Sequence, residues 1–347
     1  MLPVIWFCIV AVMVAMYVVL DGFDLGAGIV HLGVARTDDE RRMVLRAIGP
    51  VWDGNEVWLL AGGGALYFAF PALYAAGFSG FYLPLMVVLW LLILRGCSVE
   101  FRSHINNAVW RPFWDVVFSA ASALLAIFFG AALGNVVRGV PLNSEGYFFL
   151  PLWTDFQTGP NPGILDWYTI LIGVFALATL TQHGALWVNY KTEGALQQRA
   201  ARTAFVSWIA VGALTVVATW ASFSVQPHLS ESFAGMPAGY IFPVLALAGF
   251  AGVGLFMKKG NSLMAFLASA IYIVGMLTSV VFGVFPMVLP AVGNPAASLT
   301  IHNASAPEFG LQVGLMWFTP GILLAISYTV YLYRKFAGKV SLDDAGH

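Results

Sequence analysis

The sequence predicts an all-α polytopic membrane protein of about nine transmembrane helices, with the N-terminus outside and the C-terminus inside. Of the 347 residues, 60% are hydrophobic and 10% are charged, whereas soluble domains have roughly 45–50% and about 25%. A chain of this composition cannot hide its apolar surface in a water-soluble core. Its apolar residues form long runs, and most of its basic residues lie in the loops that would share one side of the membrane.

Nine apolar runs are long enough to cross a bilayer, for which a helix needs about 20 residues. Breaks rich in glycine, proline and polar residues separate them, including "GNPAAS" and "PHLSESFAGMPAG", while "GVPLNSEG" and "QTGPNPG" flank the longest loop. Only the letters "AAGF" divide the second run from the third. The predicted spans are residues 3–33, 50–75, 78–99, 113–136, 163–190, 203–224, 238–257, 262–286 and 308–333.

The basic residues predict the orientation, because Lys and Arg accumulate on the cytoplasmic side of a membrane. Of the 16 basic residues, Arg138 lies in an even-numbered loop and Arg95 lies inside a span. The others lie in odd-numbered loops or in the C-terminal tail: Arg36, Arg41, Arg42, Arg46, Arg102, Arg111, Lys191, Arg199, Arg202, Lys258, Lys259, Arg334, Lys335 and Lys339. This chain is also predicted to be multi-pass, with lipids around it and no nucleic-acid partner.

The domain organisation is predicted to be one integral membrane domain over residues 1–347. A weak internal echo links "RTDDERRMVLRAIGPVW" to "KTEGALQQRAARTAFVSW", since each loop feeds a span with a Trp near its start. The echo indicates a four-helix unit in 1–136, a second in 163–286 and a ninth, peripheral helix in 308–333. Any cytoplasmic loop could look like this, so both interpretations stay open.

The N-terminus and the cysteines point to no processing or redox motif. Met1 leads straight into apolar sequence without a basic n-region, so the first segment is expected to stay as a span. Cys8 and Cys97 form no CxxC motif and are expected to be buried small hydrophobic residues.

Three of the predicted spans bring polar side chains to one depth near the inner face. Asp21 and Asp24 in "LDGFDLGAG" are three residues apart and therefore share one face of the first span. The second span starts at the inner side and the third returns to it. Their polar residues are Trp52, Asp53 and Glu56 in the second span and Arg95, Glu100 and Arg102 in the third.

The charges in this group do not balance. A charge near the bilayer centre costs about 3 kcal/mol even on the lenient insertion scale, so it should face a partner. Arg95 is expected to pair with Asp24, and Arg102 to be more exposed. Because acids outnumber cations, some carboxyls should be protonated at neutral pH, and such groups can relay protons. Two structural alternatives stay open. Asp53 and Glu56 could serve only to cap a helix, and the ion pair of Arg95 with Asp24 could serve only to hold two helices together.

His183, in "TQHGALW", is the one histidine placed clearly inside a span. A single candidate offers no facing partner for haem, so His183 is expected to be hydrogen-bonded among Thr179, Thr181 and Gln182, and no metal site is predicted. The aromatic residues, with 12 Trp, 12 Tyr and 27 Phe, belong partly to interfacial belts. They could also line a pocket for an isoprenoid tail.

Several long motifs resemble subunit II of the cytochrome bd-type quinol oxidases. They are "LDGFDLGAG", "RRMVLRAIGPVWDGNEVWLLAGGGALYFAFPALYAAGFSGFY", "LRGCSVEFRSHINNAVWRPFWD" and "LGNVVRGVPLN". The resemblance is strong over residues 15–145 and looser to the end. The compact outer loops are similar to those of the cyanide-insensitive members.

The resemblance implies a haem-free subunit, in a bacterial inner membrane, of an enzyme that oxidises quinol and reduces dioxygen to water. It implies haems b and d in the partner subunit I, a small accessory single-helix subunit in some complexes, and no covalently bound cofactor. Asp24, Trp52 and Arg95 would contact ubiquinone or another quinone, and Asp53 and Glu100 would belong to a proton path. Some relatives carry Asp in place of Glu100 and Gln in place of Glu56.

Two other functions stay open on the sequence alone. Buried carboxylates in two four-helix units are also features of a proton-coupled membrane transporter, although no matching pair of broken spans is visible. A purely structural assembly subunit would differ only in whether Asp53 and Glu100 affect turnover.

Overall fold

Twelve α-helices account for most of the chain in the computed structural model, which describes residues 1–159 and 161–341. They are α1 (Leu2–Val34), α2 (Asp38–Ile48), α3 (Trp52–Ala69), α4 (Pro71–Gly80), α5 (Tyr82–Phe101), α6 (Trp110–Arg138), α7 (Trp167–Lys191), α8 (Gly194–Val225), α9 (His228–Gly235), α10 (Ile241–Lys258), α11 (Ser262–Val284) and α12 (Glu308–Lys335). Two short strands, β1 (Met287–Leu289) and β2 (Leu299–Thr300), pair antiparallel before α12.

The prediction of an all-α polytopic membrane protein is confirmed. Within the described residues, eight single helices are long and apolar enough to cross a membrane, and the bent pair α3–α4 raises the number to nine. The division into two four-helix units with a ninth helix stays a prediction.

α1 is the central helix of the bundle and packs against α3, α6, α7 and α11. Its crossing with α7 is close because glycines face each other there. A Cβ atom added to Gly26 would lie 2.0 Å from the carbonyl oxygen of Leu180, and one added to Gly184 would lie 2.0 Å from the carbonyl carbon of Gly26. Glycine pairs of this kind let two helix backbones approach inside a membrane.

The second predicted span is wrong at its outer end. α3 ends at Ala69, and the chain turns through 120° into α4 instead of continuing to residue 75. Pro71 causes the break, because proline lacks an N–H and excludes the preceding residue from the helical region. Phe70 accordingly has φ −132° and ψ 64°. α4 then leads into α5, which runs to Phe101 rather than to residue 99.

α2 forms in a segment that the sequence predicts to be a cytoplasmic loop. It begins with a capping box, in which Thr37 Oγ1 accepts from the Glu40 N–H at 3.2 Å and Glu40 Oε2 accepts from the Thr37 N–H at 3.3 Å. The other carboxylate oxygen of Glu40 forms an ion pair with Arg199 of α8. The guanidinium of Arg199 also donates to the carbonyl oxygen of Val34 at 2.6 Å. α2 is therefore fastened to the ends of α1 and α8.

Arg138, the exception to the basic-residue asymmetry, is neutralised at the other end of the bundle. It forms an ion pair with Asp166, and its Nη2 donates to Asn135 Oδ1 at 2.7 Å. Its Nε and Nη1 donate to the carbonyl oxygens of Gly139 and Gly163, both at 3.0 Å. Arg138 thus holds both ends of the loop between α6 and α7.

The segment after α12 folds back over the end of α7. Lys191 Nζ donates to the carbonyl oxygen of Phe336 at 2.6 Å, and the Val340 N–H donates to the carbonyl oxygen of Lys191 at 2.8 Å. Lys339 Nζ donates to the carbonyl oxygen of Thr192 at 2.8 Å. The loops predicted to be cytoplasmic therefore meet at one end of the molecule.

The expectation that both cysteines are buried is wrong. Cys8 is exposed and Cys97 is half-buried. Trp6 and Met13 are among the buried residues of α1 in this region, and Cys8 lies two positions after Trp6, about 200° around the helix. Its side chain therefore points away from the bundle.

Candidate functional site

A buried ion pair between α1 and α5 is the centre of the polar group predicted from the sequence. Arg95 Nη2 lies 2.5 Å from Asp21 Oδ1, and Nη1 lies 2.9 Å from Asp21 Oδ2. Both side chains are fully buried. Nη1 also lies 3.4 Å from Oε1 of Glu56, whose side chain is 26% exposed. The two parallel contacts with Asp21 form a bidentate pair, the strongest form of charge-assisted hydrogen bond.

The expectation that Arg95 pairs with Asp24 is therefore wrong. One helical turn separates the two carboxylates, and Asn55 of α3 occupies the contact position beside Asp24. Asn55 Nδ2 donates to Asp24 Oδ2 at 2.7 Å and to the carbonyl oxygen of Leu20 at 3.2 Å. Tyr333 of α12 donates its hydroxyl to Asn55 Oδ1 at 2.9 Å. Asp24 Oδ1 is buried and has no hydrogen-bond partner among residues 1–159 and 161–341.

Trp52 lies over the guanidinium of Arg95. The Arg95 Cζ atom is 6.0 Å from the centre of the Trp52 ring, within cation–π range. Gly96 packs beside this ring, where an added Cβ atom would make an ordinary van der Waals contact at 3.6 Å. The Nε atom of Arg95 is buried and, in the described part of the chain, has no hydrogen-bond partner.

Asp53 and Glu100 lie outside this buried group. The buried positions of α3 form one stripe, Asn55, Trp58, Gly62, Ala65 and Ala69, and those of α5 form another, Pro84, Leu91, Arg95 and Ser98. Asp53 and Glu100 fall off these stripes, and both side chains are exposed on this chain. They sit near the same ends of their helices as the polar group but face outward.

His183 is buried, but its predicted partners are wrong. Its Nδ1 lies 2.6 Å from Ser269 Oγ, and its Nε2 lies 3.0 Å from the carbonyl oxygen of Val19. The ring stacks on Phe266 with ring centres 4.7 Å apart. Both ring nitrogens are thus bound by the protein, and His183 ties α7 to α1 and α11 rather than presenting a nitrogen to an iron.

Arg102 belongs to a second buried group, which the sequence does not predict. It was expected to be exposed, but its side chain is 1% exposed. Its Nε donates to Asp115 Oδ1 at 2.5 Å, and its Nη2 contacts Asp38 Oδ1 at 2.8 Å. Asp115 also contacts His31 Nε2 at 2.6 Å and Arg41 Nη1 at 3.0 Å. The i,i+13 spacing of Arg102 and Asp115 across a helix boundary gave no local signal of this contact.

The described residues contain no group of three or more His, Cys, Asp or Glu side chains placed to hold a metal ion. The polar group itself offers a buried guanidinium, carboxyl groups and an indole ring. Such a group can hold a polar headgroup and exchange protons.

The fold and this site define a multi-pass membrane protein with ionisable residues buried between its spans, which in membrane proteins usually mark a functional site. The chain belongs to the family described as cytochrome bd terminal oxidase subunit II, whose model matches residues 2–336.

Individual relatives agree with this assignment. A probable cytochrome oxidase subunit 2 of Haemophilus influenzae is 32% identical over 98% of this chain and 95% of its own length. Subunit 2 of the cytochrome bd-I ubiquinol oxidase of Escherichia coli is 29% identical, with the same coverage of both chains. The structure of bd oxidase from Geobacillus thermodenitrificans matches with a TM-score of 0.77 at 17% identity, over 96% of this chain and 98% of that one. This last match shows the shared fold.

The resemblance seen in the sequence is confirmed, and the transporter alternative is not supported. The chain is subunit II of a bd-type terminal oxidase, an oxidoreductase complex that contains haem and a partner subunit I. The apolar spans and the bacterial relatives indicate a multi-pass protein of the bacterial inner membrane.

Proposed function

We propose that this subunit holds a quinone beside Arg95, Asp24 and Trp52, and that Asp53 and Glu100 pass protons from the cytoplasm toward the haem-bearing subunit I. The buried polar group around Arg95 carries this proposal. Its charged members are placed where membrane proteins otherwise exclude charge.

The unsatisfied atoms of this group fit a quinone headgroup. Arg95 Nε is a buried donor without a partner in the described chain, and a quinone carbonyl oxygen is an acceptor. The half-buried Trp52 ring offers a flat apolar surface beside it. A bound quinone would supply a redox-active ring, and the chain's own residues would orient its oxygen atoms. The relative from Escherichia coli is named a ubiquinol oxidase subunit, which favours ubiquinone.

An apolar groove is suited to the isoprenoid tail of this quinone. The groove has a volume of about 440 Å³ and lies between α1, α3 and α12. Trp6, Met13, Phe68 and Trp317 are among its lining residues. Met13 lies 11 residues from Asp24 along α1, or about 16 Å at the rise of an α-helix. A prenyl chain can cover that distance.

The outward-facing carboxylates support a proton path along the edge of this subunit. Asp53 and Glu100 share the exposed faces of α3 and α5 with large apolar side chains such as Leu60, 75% exposed, and Trp90, 69% exposed. Contact between a carboxylate and lipid is energetically costly, so this face is better suited to contact with subunit I. α12 buries only Leu311 among its described residues, which leaves a surface for lipids or for a small accessory helix.

The proton path is tested with Asp53→Asn and Glu100→Gln in the whole oxidase, because both changes keep size and hydrogen bonding but remove ionisation. Quinol oxidase turnover should fall by about tenfold or more in each variant. General acid–base groups typically contribute about 10²–10⁴-fold to a rate, so tenfold is a low threshold. Haem content should stay at the wild-type level. The double variant should lose little more than the worse single one if the groups act in series.

Glu145→Gln is the matched control, since Glu145 is an exposed carboxylate in the loop after α6 and should not affect turnover. Wild-type turnover in both single variants would refute the relay and leave these acids as structural groups.

A further inference from the structure

Asp21 and Asp24 lie one turn apart on α1, both fully buried, in two different electrostatic settings. Asp21 shares two short hydrogen bonds with the guanidinium of Arg95. Asp24 accepts one hydrogen bond, from the neutral amide of Asn55, and it forms no ion pair with the residues that the structure describes. The Arg95 charge is thus directed at one of the two acids.

The charges around Asp24 leave no positive charge unbalanced. Arg95 contacts Asp21, one turn from Asp24, and Glu56 of α3. The ionised Asp21 alone balances Arg95, and ionisation of Glu56 would add a negative charge to this set before Asp24 is counted. A further buried anion without a partner would cost far more than a buried neutral acid, because transfer of an ionised carboxylate out of water is the most expensive step.

Asn55 decides which oxygen of Asp24 can carry a proton. A backbone carbonyl can only accept, so the Asn55 atom that contacts the Leu20 oxygen must be the amide nitrogen. The same nitrogen contacts Asp24 Oδ2 at 2.7 Å, so Oδ2 is an acceptor. The remaining Asn55 oxygen accepts the Tyr333 hydroxyl. Every atom of the Asn55 amide is thereby assigned, and only Oδ1 of Asp24 is left to bind a proton.

We propose that Asp24 is a neutral carboxylic acid in the resting subunit, with its proton on Oδ1, while Asp21 is the ionised partner of Arg95. Asn55 and Tyr333 are positioning residues that present this O–H group. The role of this proton rests on the proposed quinone site, where Asp24 would donate a hydrogen bond to a carbonyl oxygen of the quinone.

The test compares Asp24→Asn with Asp21→Asn in the complete oxidase. An asparagine at position 24 can direct its oxygen to Asn55 and its NH₂ to the Oδ1 position, which reproduces a protonated acid. Assembled, haem-containing complex should therefore stay within about twofold of wild type, as expected when a hydrogen-bonding pattern is kept. Asp21→Asn leaves Arg95 buried without a counter-ion and should lower the yield by about tenfold or more.

Adding Arg95→Gln should restore the yield of Asp21→Asn and should not raise that of Asp24→Asn. Equal yields for the two single variants, whether high or low, would overturn the assignment, as would recovery of Asp24→Asn by Arg95→Gln. Quinone extracted per haem separates this claim from the proposed site. A wild-type complex without quinone would refute the quinone site and leave the charge assignment standing.

Discussion

At the scale of single residues, Asn55 is the side chain of α3 that joins α1 to α12 at the polar group. Asn55 starts a stripe at spacings of three and four along α3, the pattern of a helix face that packs on a neighbour. Asp53 and Glu56 are charged and stand out in the sequence, whereas the spacing places the neutral Asn55 on the packed face. Helix periodicity thus separates the buried amide from the exposed acid at Asp53.

The choice between Asp21 and Asp24 as partner of Arg95 could not be made from the sequence. Both acids share one face of α1, and their order along the chain does not give the rotation of α5 against it. Arg102 was misplaced for the same reason, since Asp115 reaches it from the next helix. Pairing between helices depends on their relative depth, which is a tertiary property.

A pH effect is expected at Glu40. Burial opposes its ionisation, but hydrogen bonds from the Arg36 N–H and the Arg199 guanidinium outweigh burial and hold the pKa of Glu40 below its usual value. A carboxyl with a lowered pKa stabilises the fold above its ordinary pKa, and that stability is lost as the pH falls through the lowered value. Acidification should therefore loosen α2, measured as faster amide hydrogen exchange in residues 38–48.

Glu40→Gln should exchange faster already at neutral pH and respond less to acid. Asp39→Asn is the control, because the Asp39 side chain is 66% exposed and pairs with Arg42 at 3.6 Å, so it should behave as wild type. Unchanged protection of α2 on acidification of the wild type would contradict this role of Glu40.

At the scale of helices, the close crossing of α1 and α7 fixes the position of the polar group. The motif "LDGFDLGAG" supplies both the acids and the glycine that meets Gly184, so a shift of this crossing would move Asp21 and Asp24 together. Long apolar runs predicted the helices themselves. The break at Pro71 was available in the sequence, but the bend of 120° depends on how α4 packs.

Gly26→Ala tests the crossing. Its new Cβ atom would lie 2.6 Å from the backbone nitrogen of Gly184 as well as against Leu180, and backbone atoms cannot turn aside as side chains do. Overpacking typically costs about 1–3 kcal/mol, so thermal stability and the yield of assembled complex should both fall. Gly33→Ala is the matched control on the same helix, since nothing lies within 4 Å of a Cβ atom there. Equal behaviour of the two variants would show that the crossing tolerates separation.

At the scale of the whole molecule, the basic residues predict which end faces the cytoplasm. The structure brings the predicted cytoplasmic loops and the tail together, through contacts such as Arg199 with Val34 and Lys191 with Phe336. A reporter inserted between α6 and α7 should be active outside, and one inserted between α7 and α8 should be active inside. The reverse pattern would overturn the assignment of Asp53 and Glu100 to a path that starts in the cytoplasm.

The hydrogen bond between Tyr333 and Asn55 joins residues 278 positions apart in the chain. During synthesis, α1 and α3 enter the membrane long before the ribosome has made α12. Until Tyr333 is made, the Asn55 oxygen lacks its donor and the helices around Asp24 are incomplete. α12 thus completes a polar group that α1 and α3 begin, and a chain that stops before α12 leaves an unsatisfied amide oxygen on α3 inside the bilayer.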